Sequence, residues 1–253
     1  MALDPIRALL QKKKSLALGW AALGNPFAVE LMGRAGIDVI NIDHQHGQGG
    51  PAELVNQLIA ARAANVPALV RVATNDEGLI SRALDAGARG IICPMINTAG
   101  DAKRLVRSVK YPPQGARSYG PYAASLLIAE DYFGNANDWT IACAQVETAE
   151  SLGNLDAILG VEDLDMILVG PNDLSISLSN GKSREPKSAE MQKAIDHIHA
   201  RATKYGILTA IYAVDEENAK DLIHKGWQLV ALASDSVWIS AGARAFAALT
   251  KAT

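Results

Sequence analysis

Two carboxylates each close an apolar run: Glu147 ends IACAQVE, and Asp173 follows MILVG in the block VGPNDLS. A carboxylate buried alone is costly, so each needs a cation, an arginine or solvent. Helix capping is the plain alternative. Glu147 precedes a helical segment beginning at Ala149, and Asp173 could cap a short helix beginning at Leu174. Two carboxylates on one rim, with room for substrate oxygens and waters, instead suit a hard divalent ion such as Mg or Mn. Arg71 ends a third run, ALVRV, and its guanidinium cannot lose its charge. It is either half of a structural ion pair or a clamp for a carboxylate or a developing oxyanion. A fourth run leads into NIDHQHGQGG, residues 41–50. If extended alternation continued there, His44 and His46 would share one face, and Asp43 and Gln45 the other. The spacing is no strong metal signature. Beside a carboxylate pair a histidine serves better as an acid–base group, because its pKa lies near neutrality. The residues alone do not choose between His44 and His46.

These groups need a scaffold that brings them to one place. Short runs rich in Val, Ile and Leu alternate with longer segments of helical periodicity. The runs predict strands at Leu16–Trp20, Val39–Asp43, Ala68–Val72, Gly90–Pro94, Ile141–Glu147, Met166–Gly170, Ile207–Ala213 and Leu229–Ser234. The periodic segments predict helices at Phe27–Ala35, Pro51–Ala63, Glu77–Ala86, Ala99–Val109, Ala149–Leu159, Ser188–Tyr205, Asp215–Lys225 and Val237–Lys251, with an extra N-terminal helix at Asp4–Gln11. The strands are apolar almost throughout, as parallel strands covered on both faces are. Several helices run into a glycine before the next strand, at Gly36, Gly87, Gly206 and Gly226, where left-handed closure is cheap. Eight strand–helix units predict an α/β fold of the (β/α)8 TIM-barrel type, one domain over residues 1–253. The first strand–helix turn, GWAALGNP, lacks a dinucleotide fingerprint, which counts against an open doubly wound sheet. In such a barrel the strand C-termini carry the site. That rule gathers Asp43, His44, Gln45, His46, Arg71, Gln145, Glu147 and Asp173 on one rim, with Cys93-Pro94 ending the fourth strand and Tyr212, Ser234 and Asp235 ending the last two.

One connection is long. Residues 111–139 read YPPQGARSYGPYAASLLIAEDYFGNANDW and hold four of the six tyrosines. Long connections in compact domains are usually functional or disordered. The aromatic content predicts an ordered excursion over the barrel mouth.

Composition narrows the class. The chain has 253 residues, 49% hydrophobic, with net charge −3, which leaves no electrostatic footprint for nucleic acid. The cluster Lys12–Lys14 reads as a solvated face. No segment approaches the roughly 18 continuous apolar residues of a membrane span. The N-terminal stretch MALDPIRALLQKKK has no signal-peptide core. Cys93 and Cys143 sit inside apolar runs and read as buried, reduced thiols of a cytoplasmic protein.

The blocks Asp43-His44-Gln45-His46-Gly47, LVRV around Arg71, ALDAGARGIICPMINT (83–98), YPPQGARSYGP (111–121), QVET (145–148) and VGPNDLS (169–175) occur together and in order. In combination they resemble the HpcH/HpaI aldolase family, class II metal-dependent aldolases of the pyruvate type, over nearly the whole chain. The resemblance implies that Glu147 and Asp173 ligate a divalent ion (Mg, Mn or Co), which a 2-oxo acid chelates through its carboxylate and keto oxygens. It implies that Gln145 neighbours the metal or its waters, and that Arg71 stabilises the enolate. His46 matches the proton-transfer histidine of the D-x-E-H or D-x-Q-H stretch, with Asp43 in the same stretch. Asp85, in ALDAG, matches the acid that orients this histidine. Backbone amides near Gly170 and Asn172 would hold the substrate carboxylate. Many members have D-x-E-H-A, whereas here Gln45 and Gly47 stand in those places.

The implied reaction is reversible cleavage of a 4-hydroxy-2-oxo acid to pyruvate or hydroxypyruvate and an aldehyde. It needs no Schiff-base lysine, and none falls in a strand. Lys110 and Lys225 are helix-terminal and read as solvated. Two rivals keep part of the site: a metal-dependent 2-oxo acid decarboxylase or related lyase, and a non-catalytic barrel that binds a 2-oxo acid. The aldehyde pocket is expected from the 111–139 excursion, with Tyr119, Tyr122 and Leu126 lining it, and from another subunit. The resemblance also implies a homo-oligomer, a hexamer or trimer of dimers. The C-terminal helix SAGARAFAALTKA, rich in small apolar residues, either packs on a neighbour or on its own barrel.

Overall fold

The structure, a computed structural model, describes residues 4–126 and 131–250. Eight strands pair in parallel and in chain order into a closed barrel. They are β1 (Leu16–Ala21), β2 (Val39–Asp43), β3 (Ala68–Arg71), β4 (Gly90–Cys93), β5 (Ile141–Val146), β6 (Met166–Val169), β7 (Leu208–Tyr212) and β8 (Leu229–Ser234). The helices before β5 are α1 (Pro5–Leu10), α2 (Pro26–Arg34), α3 (Pro51–Ala63), α4 (Glu77–Asp85), α5 (Ala99–Val109) and α6 (Tyr132–Trp139). After β5 come α7 (Ala149–Gly153), α8 (Leu155–Leu159), α9 (Pro171–Leu178), α10 (Ala189–Tyr205), α11 (Glu216–His224) and α12 (Asp235–Leu249). No helix among the described residues is long and apolar enough to cross a membrane.

The strands are buried on both faces because they separate two cores. Leu16, Leu18, Val39, Leu69, Met166 and Leu229 fill the barrel interior, while Ile40, Val70, Ile91, Ala144 and Ile167 point out against the helices. α1 closes the N-terminal end of the barrel. Asp4 caps it, and Ile6 joins the interior cluster at 0% exposure. Gly206 ends α10 at φ 71°, the left-handed closure expected there.

Four expectations change. The segment 149–159 is two short helices broken at Asn154, and 132–139 forms α6, which its Gly, Asn and Asp content hides from propensity. Lys110 is not solvated. It is 2% exposed, donates to the carbonyls of Asn137 (2.7 Å) and Thr140 (2.5 Å), and pairs with Asp165 at 2.8 Å. The excursion does not cover the barrel mouth. It links the end of α5 to the start of β5, and a helix-to-strand connection returns the chain to the N-terminal ends of the strands. Ala123 N–H donates to the Asp85 carbonyl (3.1 Å), and Ile141 N–H to Arg89 (3.0 Å), both at that end. Tyr119, Tyr122 and Leu126 are exposed there at 65%, 91% and 74%, so they line no cavity at this chain's own mouth. The C-terminal helix α12, open between a neighbour and its own barrel, meets that barrel at its first turn, where Asp235 accepts from the N–H groups of Ala22 and Leu23. Of its side chains only Asp235 is buried, while Val237, Trp238, Ile239, Phe246 and Leu249 are exposed.

Candidate active site

Strand register sets the first pair of the site. Asp43 and Arg71 are neighbours across β2 and β3, at the C-terminal end of the barrel. Arg71 grips Asp43 with two parallel bonds, Nε to Oδ1 at 2.9 Å and Nη2 to Oδ2 at 2.6 Å. Trp20 of β1 donates its indole N–H to Asp43 Oδ2 (3.1 Å) and lays its ring against the guanidinium, 4.8 Å from carbon to centroid. Asp43 Oδ1 also accepts from the backbone N–H groups of Gln45 (3.0 Å) and His46 (3.3 Å). Burial alone would raise the Asp43 carboxyl, but the hydrogen bonds and charge of Arg71, then Trp20 and Gln45, hold it below the usual carboxylate range. Both oxygens are saturated by donors. Asp43 therefore serves as an anchor for Arg71 and the following turn.

The turn after β2 separates the two histidines. The strand ends at Asp43, so extended alternation stops there. Gly47 makes this turn tight: a Cβ at that position would lie 2.0 Å from the Asp43 carbonyl oxygen. His46 emerges exposed and lines a cavity of about 190 Å3 together with Trp20, Arg71, Gln145 and Tyr212. His44 is half-buried, and burial lowers its pKa against the raising influence of Asp43, Gln57 and Glu53.

The far wall comes from β5 and β6. Glu147 is 3% exposed, and among the described residues it forms no ion pair. Its Oε1 accepts from Met95 N–H (2.8 Å), and its Oε2 from the Gln145 side-chain amide. Burial pushes its carboxyl above the usual range, Met95 and Gln145 oppose this, and the charge of Asp173 adds to it. Gly170 leaves the space that this arrangement needs. A Cβ there would meet Glu147 Oε2 at 2.8 Å and Gln145 Nε2 at 3.2 Å. Gln145 Oε1 is buried with no partner among the described residues. Asp173 is exposed in the first turn of α9, where Asn172 and Asp173 present backbone N–H groups that no helical carbonyl satisfies.

Capping explains neither carboxylate. Thr148 caps α7 and Gly170 is the cap of α9, which starts at Pro171 rather than Leu174. Among the described residues no three of His, Cys, Asp or Glu converge on one point. Asp173 lines the cavity and Glu147 is buried beside it, against Gln145 and Gly170, two hard oxygen donors of the kind that suits an ion completing its shell with substrate and water oxygens.

Asp85 stands apart. It is the last residue of α4, at the N-terminal end of the barrel, where Arg117 Nη2 holds it at 2.6 Å. His46 lies at the other end, so one chain does not bring the two together.

A family model for HpcH/HpaI aldolase/citrate lyase matches residues 17–241. The chain belongs to that family. It is 32% identical to a hydroxypyruvate/pyruvate aldolase of Rhizorhabdus wittichii over 242 residues, 96% of each chain. It is 34% identical to a 5-keto-4-deoxy-D-glucarate aldolase of Shigella boydii, over 92% of this chain and 90% of that one. A HpcH/HpaI family protein from Burkholderia cenocepacia superposes with a TM-score of 0.89 at 28% identity, covering 98% of this chain and 99% of that one. Within this HpcH/HpaI barrel, the sequence reading passed over three residues of the site. Trp20 carried no signal beyond ending an apolar strand. Met95 carried none: it is held at φ 56°, a strained value for a residue with a side chain, and this turns its N–H onto Glu147. Tyr212 was visible as the polar end of β7 but had no assigned task.

Proposed function

We propose that the protein is a divalent-metal-dependent aldolase that reversibly cleaves a 4-hydroxy-2-oxo acid to pyruvate or hydroxypyruvate and an aldehyde. The observation that carries this reading is one cavity at the strand C-termini that gathers Arg71, His46, Gln145, Asp173 and the first turn of α9 beside the buried, ion-pair-free Glu147. The names of the related aldolases support the same class. Glu147 and Asp173 are assigned as the protein ligands of Mg, Mn or Co. When bound, the ion supplies Lewis acidity at the keto oxygen of the 2-oxo acid. The N–H groups of Asn172 and Asp173, at the positive end of α9, hold the substrate carboxylate. Arg71, oriented by Asp43 and Trp20, stabilises the negative charge that reaches the keto oxygen as the C3–C4 bond breaks. His46 accepts the proton of the 4-hydroxyl, directly or through water, so that C4 leaves as an aldehyde.

The test is pyruvate release from a 4-hydroxy-2-oxo acid by metal-stripped protein, with and without added Mg or Mn. Release only with metal is expected. Release that survives stripping would overturn the metal assignment.

The active form is a homo-oligomer, a hexamer or trimer of dimers. Leu232 on β8 is 37% exposed in a strand otherwise buried, and the large apolar side chains of α12 are exposed as well. A helix whose large apolar side chains are all exposed needs a partner, and a second copy has both such a helix and the uncovered strand. The separation of Asp85 from His46 points the same way, since a role for Asp85 at the reacting centre requires another copy. Introducing aspartate at both Ile239 and Phe246 is expected to lower the mass measured by light scattering and to reduce activity with it. An unchanged mass would remove α12 from the interface. The free, buried Cys93 and Cys143 favour a reducing compartment, the cytoplasm.

A further inference from the structure

We infer that Tyr212 selects the donor by hydrogen-bonding a hydroxyl on C3 of a 3-hydroxy-2-oxo acid, of which hydroxypyruvate is the smallest. This rests on the 2-oxo acid reading above and gives a task to a polar cavity residue that the reading leaves without one. The carboxylate end of a bound 2-oxo acid is taken by the first turn of α9, and its keto oxygen by the Arg71 side. What is left for the C3 end is the wall of Trp20, Leu168 and Tyr212. Leu168 has no polar atom, and the indole N–H of Trp20 is spent on Asp43. The phenol of Tyr212 is then the free polar group on that wall, and it makes no hydrogen bond among the described residues.

Its position is set by the same stack that sets Arg71. The Tyr212 ring stands edge-on to Trp20, with centroids 5.2 Å apart and planes at 82°. Trp20 in turn lies against the Arg71 guanidinium and donates to Asp43. Tyr212 is half-buried at the end of β7, a strand position rather than a loop position. Burial raises its phenol pKa, with Arg71 opposing and Asp43 adding. It therefore stays a neutral O–H, able both to donate and to accept. With no protein group claiming it, the phenol is free to exchange solvent for a donor hydroxyl. Pyruvate presents only a methyl group to it. The cavity, about 190 Å3, admits the added hydroxyl of a small donor. Sites with a polar group placed for a hydroxyl discriminate against analogues that lack it more strongly than apolar sites discriminate by size.

The test compares three small acids in the presence of Mn and without an aldehyde: hydroxypyruvate, pyruvate and 2-oxobutanoate, which carries a methyl in place of the hydroxyl. Calorimetric Kd values on the wild type should favour hydroxypyruvate over 2-oxobutanoate by about 10-fold, the effect of one neutral hydrogen bond. Tyr212→Phe keeps the ring and its contact with Trp20, and should bring that ratio close to one. The ratio of kcat/KM for cleavage to the hydroxylated and plain donors should fall in parallel. A ratio indifferent to Tyr212→Phe would overturn the assignment alone. So would a wild type with no preference for the hydroxyl over the methyl, a result that needs no variant to fold. Binding of none of the three acids would overturn the assignment together with the 2-oxo acid reading beneath it.

Discussion

Glu147→Gln is expected to abolish metal-dependent pyruvate release and to weaken Mn binding by at least about 100-fold, more than the loss of a group that merely orients a ligand. Glutamine keeps the length of the side chain and can still accept from Met95 N–H, so the cavity wall stays in place. What it removes is one of two hard anionic donors. Thermal unfolding gives a second readout. Metal that binds only the folded state adds about 2.7 kcal/mol at a hundredfold excess over Kd, so the wild-type Tm should rise with Mn. The variant's Tm should not respond. Without metal, the variant should be as stable as the wild type or more so, because a buried carboxylate with no ion pair has been replaced by a neutral amide. A Glu147→Gln protein whose Tm still climbs with Mn would place the ion elsewhere.

Arg71→Lys is the second large effect. It should cost about 10²–10³ in kcat, the range for removing one oriented donor from an oxyanion site. Lysine keeps the charge but offers no planar fork, so it cannot hold both oxygens of Asp43 and still present a donor to the cavity. Arg71→Ala is a poorer probe. It leaves Asp43 charged and 4% exposed with its main partner gone, a change worth about 3–5 kcal/mol of stability. Activity would then be lost through unfolding as well as through chemistry. If Arg71→Lys kept near-wild-type kcat and raised only KM, the arginine would bind substrate equally in ground and transition states, and its stabilising role would fall.

Much of the scaffold was legible before any coordinates. The eight apolar runs became the eight strands, two with unchanged limits, because parallel strands covered on both faces leave an almost unbroken apolar signal. The excursion was misplaced although topology already contained the answer. A segment between a helix and the following strand must lie at the N-terminal end, so aromatic content was a poorer guide than chain direction. Lys110 shows a different limit. A lysine at a helix end reads as solvated until the excursion folds back and sets Asn137, Thr140 and Asp165 around its ammonium.

The site divides along the same line. By itself the sequence determined which residue types end the strands: an arginine at the end of β3, a glutamine and glutamate at β5, an aspartate just beyond β6. Burial of those runs demands partners for such groups, so chemistry on that rim could be read directly, and so could the membership of the HpcH/HpaI family. Only the tertiary structure decided what each group does. Asp43 and Arg71 are 28 residues apart, and strand register makes them partners, which makes Asp43 the anchor of the arginine. Closure of the barrel brings β1 and β7 to the same cavity, giving Trp20 and Tyr212 their places. The direction of α4 carries Asp85 to the opposite end from His46. The period of a run is a local property of the backbone, whereas the partner of a side chain depends on how distant strands are set against one another.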